Sequence, residues 1–243
     1  MQARERLILA LDVPDAATAL DWVRRLGTKV GLVKIGLELF VAAGPDLVRR
    51  VRDVGVGVFL DLKLHDIPNT VAGAVRAAAR LDVQMLTVHA AGGAQMLAAA
   101  AAAAKEAGPG APRLLAVTVL TSLEADDLAA LGIAGPPATR VLAWAGLAQR
   151  QAIGGIVASA LEAAALRQAF PKLTLVIPGI RPAGAVVGDQ ARVATPAQAV
   201  RAGADYLVLG RAITAAADPE AALAAVIAEI GAEIGAEIES AAP

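Results

Sequence analysis

Short runs of apolar, largely β-branched residues recur along the chain, separated by longer stretches of helical character: Leu7 to Leu11, Leu32 to Ile35, Val56 to Leu62, Met85 to Val88, Leu114 to Val119, Gly155 to Ala158, Leu173 to Ile177 and Tyr206 to Leu209. Continuous apolar strands that alternate with helices signal a parallel sheet buried on both faces. Eight such units are what closes a barrel, and 243 residues match the roughly 250 of that architecture. The pattern predicts a (β/α)8 TIM barrel of the α/β class, formed as a single domain over residues 1–243. A doubly wound open sheet is the structural competitor.

Helix punctuation agrees with this reading. Thr195-Pro196-Ala197-Gln198 supplies an N-cap, a proline at the first helical position and a capping-box glutamine, and Gly203 suits the exit. Residues 228–243 begin with a repeated Ala-Glu-Ile-Gly unit whose isoleucines fall near one helical face, which predicts a C-terminal helical extension and tail.

Composition narrows the function classes. The chain is 57% hydrophobic with only 2% aromatics, so alanine-mediated contact between helices and strands has to fill the interior. Twenty-two basic and 23 acidic residues leave a net charge of −1, which offers no general attraction for nucleic acid or a membrane surface. With no cysteine, disulfides, thiolate nucleophiles and sulfur-ligated zinc are excluded, and a reducing cytoplasm is the expected location. The first apolar run is too soon interrupted by Asp12 for a signal peptide, and the alanine run 98–104 is bounded by Lys105-Glu106 as in a helix packed on a sheet.

Polar residues stand where the apolar runs end: Asp12, Lys34, Asp61, Lys63, His89, Thr121 and Ser122. Barrel active sites lie at that carboxyl face. The densest cluster is Phe59-Leu-Asp61-Leu-Lys63-Leu-His65-Asp66-Ile67-Pro68-Asn69-Thr70. Residues two apart on a strand share a face, so Asp61 and Lys63 are predicted to project together, with Asp66 past the strand end. No G-x-G-x-x-G or G-x-x-x-x-G-K-[ST] motif is present, and the only imidazoles are His65 and His89, so neither a cofactor nor a dedicated metal site is expected. Both histidines are read as structural hydrogen-bonding groups rather than catalysts. After the seventh run comes a glycine-rich stretch from Gly179 to Gln190 containing Arg181, Gly184 and Gly188. After the eighth comes Gly210-Arg211 at the start of an expected short helix. Barrels often bind phosphate between these two loops.

The segment from Asp61 to Thr70 resembles the signature of bacterial orotidine 5′-phosphate decarboxylases. The resemblance continues through Leu9-Ala-Leu-Asp12, Val33-Lys34-Ile-Gly, Thr87-Val-His-Ala, Leu120-Thr-Ser122, Pro178-Gly-Ile-Arg181-Pro and Gly210-Arg211. It implies a charged tetrad of Lys34, Asp61, Lys63 and Asp66, with Lys63 as proton donor and carbanion stabiliser. It further implies a homodimer in which Asp66, Ile67 and Thr70 reach the partner's site. Asp12 and Lys34 would hold ribose hydroxyls, and Thr121 and Ser122 would lie against the pyrimidine. Arg181, Gln190, Gly210 and Arg211 would meet the phosphate under a closing seventh loop, and the motif residues Leu62, Leu64, His65, Pro68 and Asn69 complete the substrate-binding stretch. Two other readings stay open at this point. One is a related magnesium-dependent sugar-phosphate decarboxylase or aldolase, which shares Asp-x-Lys-x-x-Asp; the other is a nucleotide-binding barrel without catalysis.

Overall fold

A computed structural model describes residues 1–182 and 194–240, except for the side chains of 237–240. Eight strands follow one another: β1 (Leu7–Ala10), β2 (Leu32–Gly36), β3 (Val58–Leu64), β4 (Met85–His89), β5 (Arg113–Val117), β6 (Gly155–Val157), β7 (Thr174–Ile177) and β8 (Tyr206–Leu209). Each pairs in parallel with the next, and β8 returns to β1 through Leu7↔Leu207 and Leu9↔Leu209. That last pairing excludes the open sheet. The helices outside are α1 (Ala16–Leu26), α2 (Leu37–Asp53), α3 (Pro68–Ala79), α4 (Gly93–Glu106), α5 (Ala125–Ala130), α6 (Pro137–Arg150), α7 (Ala160–Ala169), α8 (Pro196–Arg201), α9 (Arg211–Thr214) and α10 (Pro219–Ser240).

Strand alternation divides the apolar residues into two layers. Leu7, Leu9, Val33, Ile35, Val58, Leu60, Leu86 and Val88 face outward against the helices. Ile8, Ala10, Leu32, Phe59, Met85, Leu115, Val176 and Val208 fill the barrel interior. The alanine excess has its place in the outer layer, where Ala19, Ala78, Ala100, Ala103, Ala145, Ala148, Ala163 and Ala199 are buried. A methyl group lets each helix sit close to the sheet and loses no side-chain entropy.

Most strand ends fall within a residue or two of the apolar runs; β3 departs furthest, spanning Val58–Leu64 rather than Val56 to Leu62. Its pairing with β4 continues to Leu64↔Val88, which carries Lys63 into the strand. The predicted caps form: Gln198 N–H donates to Thr195 Oγ1 at 3.2 Å, and Thr195 N–H to Gln198 Oε1 at 2.9 Å. Helix α10 takes in the repeated segment, with Ile230 buried and Ile234 packed on the core. Glu229 accepts from the Ala197 amide and Glu233 pairs with Arg201, both on α8.

Candidate active site

The inward positions of the strands change character as they rise. On β2, Leu32 is followed inward by Lys34; on β3, Phe59 is followed by Asp61 and Lys63; on β4, Met85 is followed by Thr87. The lower members form the apolar interior; of the upper members, Lys34, Asp61 and Lys63 line a pocket at the carboxyl ends of the strands, and Thr87 is buried behind them. Asp12, Lys34, Asp61 and Lys63 line one part of that pocket, and Thr121, Gly179, Arg181, Gly210 and Arg211 line another. Phe59, Val117, Val119, Val157, Pro178 and Val208 supply apolar lining.

The charged residues form a chain of alternating sign. Lys34 Nζ lies 2.9 Å from Asp12 Oδ1 and 3.7 Å from Asp61 Oδ2, and Lys63 Nζ lies 2.8 Å from the same Asp61 oxygen. Lys34 and Asp61 side chains are each only 12% exposed, so neither is left to water for compensation. Burying an unpaired charge there would be costly, and the alternation supplies each ammonium with a carboxylate. Of the two lysines, Lys63 holds the more open position, its side chain 33% exposed against 12% for Lys34, and both line the pocket.

The backbone at Lys63 is unusual. Its φ is 50°, in the left-handed region that residues with a Cβ rarely enter, at a cost of about 1–3 kcal/mol. It sits where the β3–β4 register slips: Leu60 pairs with Leu86, but Leu64 pairs with Val88. The amide of Lys63 donates to Thr87 Oγ1 at 2.8 Å, and Thr87 donates to Asp61 Oδ1 at 3.0 Å. Sequence reasoning did not single out Thr87 for the site. The available signal was a hydroxyl at an inward position of an otherwise apolar run, which a threonine's ordinary preference for strands conceals.

The other motif residues are placed differently. Leu62 and Leu64 pack outward on the core, while His65, Asp66, Ile67, Asn69 and Thr70 are exposed beyond the strand end, and Pro68 opens α3. Asp66 Oδ1 accepts from the neighbouring Ile67 amide at 2.6 Å and does not join the charge chain. Ser122 is exposed and lies outside the pocket lining that includes Thr121. His65 and His89 stack with centroids 5.2 Å apart, and His89 also meets Trp144 edge-on. His89 Nδ1 accepts from the Ala91 amide at 3.3 Å, a structural bond that needs a neutral imidazole. Burial, and then the charges of His65 and Lys63, hold His89 below the usual imidazole range, which preserves that bond.

Elsewhere around the pocket, Gly179 has a φ of 78° and turns the chain out of β7. Ile180 bridges to Ala194, and the Arg181 amide donates to Ala194 O at 2.9 Å, pinning the base of the seventh loop. Gln190, Gly184 and Gly188 lie outside the described residues. Gly210 joins β8 to α9; a Cβ there would stand 3.3 Å from Asp12 Oδ2 and 3.4 Å from Ala10, so a side chain would crowd the charge chain. Arg211 follows as the first residue of α9.

Residues 5–226 match the model of the Orotidine 5'-phosphate decarboxylase / HUMPS family. The chain is 56% identical over 227 residues to the orotidine 5'-phosphate decarboxylase of Anaeromyxobacter sp. (strain K), covering 93% of this chain and 98% of the relative. It is 53% identical over 232 residues to the Moorella thermoacetica enzyme of the same name, with 93% and 92% covered. The crystal structure of orotidine 5'-phosphate decarboxylase from Lactobacillus acidophilus superimposes with a TM-score of 0.82 at 37% identity, over 92% of this chain and 98% of that one. With the fold, the charged barrel mouth and near full-length similarity in agreement, the chain belongs to the orotidine 5'-phosphate decarboxylase / HUMPS family.

Proposed function

We propose that this protein decarboxylates orotidine 5′-monophosphate to uridine 5′-monophosphate, the nucleotide that pyrimidine biosynthesis requires, without a metal or organic cofactor. The observation that carries the reading is the chain Asp12–Lys34–Asp61–Lys63 lining a pocket that Arg181 and Arg211 also line. The curated relatives that match over nearly their whole length carry the decarboxylase name, which favours this member of the family over a sugar-phosphate enzyme.

The chemistry explains why such a wall is useful. Breaking the bond to the carboxylate releases carbon dioxide and leaves an electron pair in an sp² orbital of the ring carbon, where the ring cannot delocalise it. An ammonium at about 4 Å is worth roughly 4 kcal/mol to that charge at an effective dielectric of about 20. Lys63 supplies the ammonium and then the proton: its N–H bond breaks as the new C–H bond forms, and solvent reprotonates the amine. Asp61 holds Lys63 charged and aimed. Asp12 and Lys34 hold the ribose hydroxyls, Thr121 and Ser122 border the pyrimidine, and Arg181, Gln190, Gly210 and Arg211 take the phosphate. Arginine suits that task because its planar fork binds phosphate oxygens bidentately.

The protein acts as a cytoplasmic homodimer in this reading. The exposed segment from His65 to Thr70 directly follows the Lys63 strand, and Ile67 leaves an apolar side chain 67% exposed there. That exposure suits a surface covered by a second subunit, with Asp66, Ile67 and Thr70 completing the partner's site. The direct test of the activity follows the ultraviolet absorbance of orotidine 5′-monophosphate with purified protein in excess chelator. Conversion to uridine 5′-monophosphate is expected; absent or chelator-sensitive conversion would contradict the proposal.

A further inference from the structure

The decarboxylation proposed above makes no use of Thr87, although it is the fully buried hydroxyl beside the reacting pair. Its Oγ1 accepts the Lys63 amide at 2.8 Å and donates to Asp61 Oδ1 at 3.0 Å. The second Asp61 oxygen holds Lys63 Nζ at 2.8 Å. Thr87 therefore restrains Lys63 at both ends, the backbone directly and the ammonium through Asp61. A hydroxyl has one proton, so accepting from the amide leaves that proton for the carboxylate and fixes the direction of both bonds.

The local backbone needs such a restraint. Between the pairs Leu60↔Leu86 and Leu64↔Val88, four residues of β3 advance along two of β4, so regular ladder pairing is interrupted at Lys63. A buried amide without a partner is disfavoured, and Thr87 Oγ1 takes the place of a strand carbonyl. The same residue carries the left-handed φ of 50°, which sterics oppose for any side chain with a Cβ.

We infer that Thr87 is a positioning residue for the decarboxylation: its hydroxyl holds the left-handed turn at Lys63 and the Asp61 carboxylate in the arrangement that presents the Lys63 ammonium to the substrate. The inference rests on the decarboxylase reading. It deepens that reading by adding a residue on a neighbouring strand that touches neither substrate nor reacting atoms.

Thr87→Val keeps the shape and removes the hydroxyl, whereas Thr87→Ser keeps the hydroxyl and removes a methyl group. For both variants and the parent, the readouts are kcat and KM on orotidine 5′-monophosphate, and the stoichiometry and Kd of uridine 5′-monophosphate by calorimetry. The stoichiometry counts competent sites, which separates mispositioning from loss of folded protein. Thr87→Val is expected to bind the product at full stoichiometry, with Kd within about threefold, while kcat falls about 10–100-fold, the scale of a small displacement of a catalytic group. Thr87→Ser is expected to recover most of that loss. The inference is overturned if Thr87→Val keeps kcat within about threefold of the parent, if its loss merely follows a loss of binding sites, or if Thr87→Ser is as impaired as Thr87→Val. A parent that binds the product but never turns over the substrate sinks the underlying reading instead, and this inference with it.

Discussion

Lys63 joins two features that oppose one another in an ordinary strand, a left-handed backbone and a functional side chain directed into the barrel. The unfavourable φ is tolerated because the amide, the ammonium and the adjoining carboxylate all have partners. In the proposed reading Arg211 has the complementary task of holding the substrate phosphate. Removing one charge-assisted phosphate contact costs about 2–3 kcal/mol, so Arg211→Ala is expected to lose about 100-fold in kcat/KM on the phosphate ester. On the nucleoside lacking phosphate the same variant is expected to stay within about threefold of the parent, and equal losses on both substrates would remove Arg211 from the phosphate site. At this scale Asp61 and Lys63 are legible in the sequence, because charges inside an apolar run conflict with a buried strand. Thr87 is not, since threonine is at home in strands and its role depends on a slip in pairing that no local pattern announces.

Among the elements, the strands are the most readable, because apolarity on both faces is a local consequence of being covered by helices outside and side chains inside. Their ends are less so. Val56 is buried and prolongs the third run toward its start, yet it precedes the strand, and Gly57, just before the strand, contributes its carbonyl to the Val33 amide. Lys63 and Leu64 break the apolar run at the other end and still belong to β3, because Leu64 finds Val88 across the slip. The C-terminal repeat resolves more simply: Ile230 and Ile234 face the core, and Glu229 and Glu233, each preceding one of them, tie α10 to α8. Helix α9 follows Gly210 as the punctuation implied, and it brings Arg211 to the pocket mouth.

Closure of the barrel is a property of the whole molecule, and the sequence pattern alone left an open sheet as an alternative. The pairing of β8 with β1 resolves it, and the same closure gathers Asp12, Lys34, Asp61, Thr121, Arg181 and Arg211 from distant parts of the chain around one pocket. The proposed homodimer would extend that logic across subunits and would account for Asp66, which is part of the motif yet stands exposed and apart from the charge chain. Mixing inactive Lys63→Ala and Asp66→Ala proteins tests this. Subunit exchange is expected to restore roughly a quarter of the parent's sites if each exchanged dimer recovers one intact site, and verified heterodimers without activity would count against shared sites. The most direct test of the account as a whole is the turnover of orotidine 5′-monophosphate by Lys63→Ala against the parent, with uridine 5′-monophosphate binding measured on the same samples. Loss of about 4 kcal/mol of charge stabilisation predicts a fall in kcat of about a thousandfold or more with product binding retained within about tenfold. A variant that binds the product and turns over within about tenfold of the parent would contradict the central role given to Lys63.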